Sequence, residues 1–250
     1  MLEYALHPVE DRLIHVDDHC RADPLQRQWA RCPLCHEALQ VLQLRDRART
    51  RRFVHLAGDY ARCPLVDDAL PNPLMLQVGP PLNARARQLR VKFFTNWRKH
   101  LHAIRQVVSA FGVTRFMRAV EHADVLKVWA WPSLAQRDIP YILLVLADYI
   151  AAPRGERHGA WSRFWFDGSV QRVEDLSKPR GKLPRLFRLR YKPPRKMMFP
   201  NSRHLIDCQP VPMDVPDPDS LGAIAEAPLP QADEIAFASF AARMLKHAPE

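Results

Sequence analysis

A chain of 250 residues is long enough to bury a core, and 47 % hydrophobic with 26 % charged residues fits a folded protein and excludes a disordered tract. The +10 formal charge has one origin: Ser177 to Ile206 carries ten Lys and Arg and no Asp or Glu, and taking these from 37 leaves 27 cations against 27 acids. The longest apolar run, Ile139 to Ala147, is too short for a bilayer span. The opening MLEYALHPVEDRLIHVDD lacks a basic-then-apolar export pattern, and an odd five cysteines argue against a disulfide framework, so a cytoplasmic protein is expected.

Residues 1–70 read as a β-rich module, with LIHV at 13–16 and the alternating LQVLQL at 39–44 as strands. The stretch HVDDHC supplies His15, Asp17, Asp18, His19 and Cys20; such groups in a turn after a strand more commonly face water than a metal. Next comes RCPLC. Cys32 and Cys35 flank a tight turn of the kind that lets two sulfurs converge on one ion. The following LQVLQLRDRARTRRFVHL reads as strand, basic turn and strand, and would return His55 toward Cys32, with Cys63 shortly beyond. Cys32, Cys35, His55 and Cys63 therefore form a candidate structural zinc site with all four positions filled by protein. A redox CxxC would need a helix N-terminus in a βαβ setting, which this region lacks. Four ordinary buried side chains are the plain alternative.

CPLC, the basic turn, RFVHLAG and Cys63, with the strand-like lead-in LEYALHPVEDRLIHVDD, resemble the N-terminal zinc-ribbon-like module of the competence protein CoiA-like family. Cys32, Cys35 and His55 match motif positions; Cys63 matches a cysteine of some relatives. The family's HFAH-like block reads FVHL here, and the glycine usual after the CxxC is His36. The resemblance covers the first quarter of the chain and implies a zinc-binding module ahead of a metal-dependent nuclease domain. Glu121, Asp124 and Lys127 are close in sequence but lie in a helical stretch, with no strand bearing the D and ExK pattern.

PNPLMLQVGPP, 71–81, is a proline-punctuated boundary. Leu89, Phe93, Trp97, Leu101, Ile104, Val108 and Phe111 then recur at steps of three and four, predicting one long helix capped by Asn83 and closed by Gly112. Its Arg87, Arg90, Arg98, His102 and Arg105 read as a basic, solvated side. A second helix is expected from Thr114, bearing Phe116, Met117 and Val120, and a third from Asp138 to Ala151. AFGVTR between the first two invites a helix-turn-helix reading. Arg118 and Glu121 stand where that motif needs apolar residues, so a plain helical hairpin is expected. Trp129, Trp131, Trp161 and Trp165 read as core.

Strand patterns return in WSRFWFDG, 161–168, and FRLRYK, 187–192, where Phe187, Leu189 and Tyr191 alternate with Arg188, Arg190 and Lys192. The cations Lys182, Arg185, Arg188, Arg190, Lys192, Arg195 and Lys196, beside aromatics, suit phosphate contact and base stacking. A charged edge that resists aggregation is the structural alternative. No Gly-rich phosphate loop, GxSxG or HExxH occurs.

The expected architecture is thus α+β. It comprises a zinc-ribbon-like module (1–70), a helical region (82–152), a basic β-containing region (153–208), a disordered proline-rich linker (209–231) and a short amphipathic helix (232–247) with Phe237, Phe240, Ala241 and Met244 on one side. The function expected is nucleic-acid binding (DNA or RNA) without catalysis, stabilised by Zn²⁺, in DNA uptake or a mobile element as the resemblance implies. Two other classes remain: a metal-dependent nuclease, and an adaptor whose tail helix docks on a protein partner.

Overall fold

A computed structural model describes residues 2–22, 29–43, 50–56, 63–67, 70–151, 159–177, 184–195, 197–213 and 229–246. The chain divides into two compact units. The first joins Met1–Leu70, Ala151–Ser169 and Arg185–Pro210; the second joins Pro71–Ile150, Val170–Pro184 and Val211–Glu250. Region 153–208 is therefore shared between the units rather than standing apart.

The first unit contains two antiparallel sheets. One is built from β1 (Tyr4–Leu6), β2 (Leu13–His15), β3 (Ala30–Arg31), β4 (Ala38–Gln43) and β5 (Arg51–His55), in the order β2-β1-β3-β4-β5. It curls until Leu2 exchanges backbone hydrogen bonds of 3.0 and 2.8 Å with the fully buried Phe53 of β5. HVDDHC, after β2, forms the six-residue helix α1 (Val16–Arg21). The second sheet holds β6 (Trp161–Phe166), β7 (Leu186–Tyr191) and β8 (Leu205–Val211), in that order.

Alternation works in β7 as the sequence predicts: Phe187, Leu189 and Tyr191 are buried while Arg188 and Arg190 are half-buried. Strand β6 differs, because Ser162 to Phe166 are all buried. A strand buried on both faces needs cover on both, and β6 is grouped with the first 70 residues in one unit. The buried Arg163 meets this demand by placing its guanidinium over Trp165, 4.9 Å from the ring centroid, and donating to the Leu70 carbonyl at 3.0 Å.

The second unit is helical. The predicted long helix is two, α2 (Ala84–Thr95) and α3 (Trp97–Val107), separated by Asn96. The Asn96 amide nitrogen donates to the Lys92 carbonyl at 3.2 Å, a side-chain bond that competes with helix continuation. The apolar stripe survives the break, with Phe93, Leu101, Ile104 and Phe111 essentially inaccessible. Asn83 caps α2 as expected, its Oδ1 accepting from the Ala86 amide at 2.9 Å. Gly112 does not close a helix; it is the N-cap of α4 (Val113–Val125), which begins one residue before Thr114. Helix α5 (Ile139–Leu146) is buried at all eight positions and ends before Asp148, whose φ is 51°, short of the predicted Ala151. Trp129 and Trp165 are core; Trp131 and Trp161 are half-buried.

Helix α6 (Gln231–Lys246) turns its predicted apolar side inward. Phe237 stacks on Trp97 at 4.0 Å, and Arg98–Glu234 (3.0 Å) and Arg243–Glu121 (3.1 Å) flank it. Strand β8 runs to Val211, so the first residues of the expected linker are strand, and Pro210 is tolerated on this outer strand. The basic turn at 44–49, the linker residues 214–228, and Lys182 and Lys196 lie outside the described residues. No described helix is long and apolar enough to cross a membrane.

Candidate metal centre

Two short turns and one strand end build the centre. In the first turn, the Leu34 amide donates to Cys32 Sγ at 3.4 Å, the His36 amide donates to the Cys32 carbonyl at 2.8 Å, and the Cys32 amide donates to the Glu37 carbonyl at 2.7 Å. These bonds fold RCPLC into a knuckle with both sulfurs on one side. Chain reversal falls on His36, whose φ of 65° is left-handed. Glycine suits that conformation better than any residue with a Cβ.

Strand β4 leaves the knuckle and β5 returns in the register Leu39↔His55, which carries His55 back beside Cys35. The second turn begins at Cys63, whose carbonyl accepts from Val66 at 3.0 Å and Asp67 at 2.9 Å. It repeats the tripeptide Cys-Pro-Leu of the first: 32–34 and 63–65. This repeat was available in the sequence as a sign of paired knuckles. Where a second CxxC would place its cysteine stands Val66, and the fourth donor is His55 instead.

The four donor atoms lie within 4.8 Å of one another. Cys32 Sγ and Cys63 Sγ are 3.8 Å apart, the edge of about 3.8 Å expected for a tetrahedron with zinc–sulfur bonds of about 2.3 Å. Cys35 Sγ and His55 Nε2 are 3.3 Å apart. Cys32 and Cys63 are fully buried, whereas Cys35 and His55 are half-buried.

Crowding polarises the thiols. Hydrogen bonds from Cys32 and Cys63, then from His55 and the Glu37 backbone, hold the Cys35 thiol far below its ordinary range despite burial. Burial, followed by the two neighbouring thiols, pushes Cys32 well above it. Cys63 is pulled down by Cys32 but ends raised, because Cys35 and burial outweigh that pull. The cluster draws one thiol toward thiolate and disfavours ionisation of the other two, a cost of gathering thiolates that a cation of charge +2 would relieve.

The end of β6 packs against the knuckle. A Cβ on Gly168 would stand 3.0 Å from the Leu34 carbonyl and 3.5 Å from two His36 ring atoms, so any larger residue would press the carbonyl back by a few tenths of an ångström. Next to it, burial raises the Asp167 carboxyl, opposed by hydrogen bonds from Ser169 and by nearby His36 and Arg185. Cys208 of β8 is a further buried thiol, raised by burial and then by proximity to Cys32, and stands outside the ligand group.

Among the described residues this is the one cluster of three or more His, Cys, Asp or Glu donors close enough to share an ion. In HVDDHC, His15 Nδ1 instead accepts from the Asp17 amide as an N-cap, Asp18 pairs with Arg21, and His19 packs on Phe53. Asp124 is buried in a double contact with Arg90, Nη2 to Oδ2 2.5 Å, and also accepts from Trp129 Nε1. Arg90, expected on a solvated helix side, is buried by this pair and by donation to the Met244 carbonyl at 2.7 Å. Glu121 pairs with Arg243.

The basic segment divides into two groups. Arg185 bonds Asp11 at 2.9 Å, Arg188 donates to Ser162 Oγ at 2.8 Å, and Arg190 grips Asp207 with both nitrogens. Burial lowers Arg188, whereas the Asp207 hydrogen bond raises Arg190. Lys192, Arg195 and Arg203 are exposed and carry no ion pair with a described residue.

Comparison with known proteins found no matching family model, no matching curated protein and no matching solved structure.

Proposed function

We propose that this chain is a non-catalytic nucleic-acid-binding protein whose first unit is held together by a structural zinc ion on Cys32, Cys35, His55 and Cys63. The observation that carries the zinc reading is the convergence of three sulfurs and one imidazole nitrogen within 4.8 Å, on two knuckles and a returning strand. All four positions of a tetrahedron are taken by protein, which leaves no open position for substrate and so assigns the ion to stability. Nucleic acid is the partner that best fits the ten cations without an acid between Ser177 and Ile206. A role in DNA uptake or a mobile element follows only from the resemblance of the CPLC module to the CoiA-like family.

The test is fluorescence anisotropy with labelled DNA and RNA at low salt. Binding that weakens as salt rises, and that drops when Lys192, Arg195 and Arg203 are changed to alanine, is expected. Absence of binding to either polymer contradicts the reading.

A further inference from the structure

We infer that the loop between β7 and β8 is a binding site for single-stranded nucleic acid, a refinement that rests on the nucleic-acid reading above. Three of the cations expected to meet phosphate are engaged within the protein: Arg185 with Asp11, Arg188 with Ser162 and Arg190 with Asp207. Phosphate contact in the described region therefore moves off the strand face to Lys192, Arg195 and Arg203, which frame the loop.

Between these cations the loop displays apolar surface that folding has not used. Met198 is 80 % exposed and Phe199 48 % exposed. The Phe199 ring stands edge-on to Trp161 of β6 at 6.1 Å and 87°. An exposed aromatic ring among exposed cations is the arrangement that binds unpaired bases, which stack on the ring while their phosphates meet the charges. A duplex keeps its base faces inside and would leave Phe199 and Met198 in water. A lipid surface would draw the same cations but accept any apolar side chain, so dependence on an aromatic ring distinguishes the two.

Anisotropy with a labelled oligothymidine of about 20 nucleotides, longer than one stacking site, and a duplex of equal length tests the site in the full chain. The oligothymidine is expected to bind about tenfold tighter than the duplex, Phe199→Ala and Phe199→Leu to lose about tenfold on it, and Phe199→Tyr to retain it. Duplex affinity should not change in any of these variants. Unchanged circular dichroism and metal content confirm that each variant folds, and Arg195→Glu provides a second, exposed probe of the same loop. Equal binding of both polymers, indifferent to Phe199 and Arg195, overturns the site while nucleic-acid binding stands. Failure to bind either polymer removes both. Capture by phosphatidylserine vesicles that Phe199→Leu preserves, with no effect on oligothymidine, makes the loop a lipid contact and overturns the site too.

Discussion

His36 shows how one residue records a backbone requirement that its own chemistry opposes. Its left-handed φ of 65° closes the knuckle that aims Cys32 and Cys35 together. Glycine and alanine both lack the imidazole, so comparing His36→Gly with His36→Ala isolates the backbone; the glycine variant should be more stable by about 1 kcal/mol in urea unfolding. Asp124 is the opposite case, a carboxylate near Glu121 and Lys127 whose role is to neutralise buried Arg90. Asp124→Ala leaves that guanidinium buried and alone, and should cost about 3–5 kcal/mol by the same measurement. Sequence pattern placed Arg90 on a wet helix side because periodicity does not reveal a partner 34 positions away. The donors of the candidate metal centre were legible for a related reason: the CxxC spacing is local, and the hairpin between β4 and β5 then returns His55 beside it.

At the level of elements, alternation located β4 and β7 well, since each strand's own side chains carry that signal. The helix break at Asn96 was hidden because Leu89 to Phe111 remain on one stripe across it; the Asn96 backbone (φ −104°, ψ 18°) and its side-chain bond to Lys92 mark the interruption. Helix α6 was recognisable from Phe237, Phe240, Ala241 and Met244, but its seat was not. The structure buries Phe237 against Trp97, Phe94, Phe116 and Phe240 of the same unit. Phe237→Ala removes a fully buried ring and should lower stability by about 3–5 kcal/mol. A loss below about 1 kcal/mol, read from the urea midpoint at unchanged slope, would mean that α6 spends much of its time undocked.

For the whole molecule, charge distribution matters more than net charge. Within Ser177–Ile206, the engagement of Arg185, Arg188 and Arg190 leaves Lys192, Arg195 and Arg203 as the exposed described cations without an ion pair. Each phosphate neutralised on a single strand contributes about −0.7 to the slope of log K against log salt. Changing all three to alanine should therefore make that slope shallower by about 2, whereas changing the paired Arg190 should instead lower the melting temperature. Strand β6, buried on both faces, is grouped in one unit with the N-terminal module despite lying about 90 residues further along the chain.

Zinc content of the purified full chain tests the central claim most directly, with Cys32→Ser as its control. The account predicts one zinc per wild-type chain, loss of that ion in the serine variant, and a lowered melting temperature when a chelator removes it. Wild-type protein that holds no zinc after exposure to it, and melts at the same temperature with and without chelator, would contradict the account.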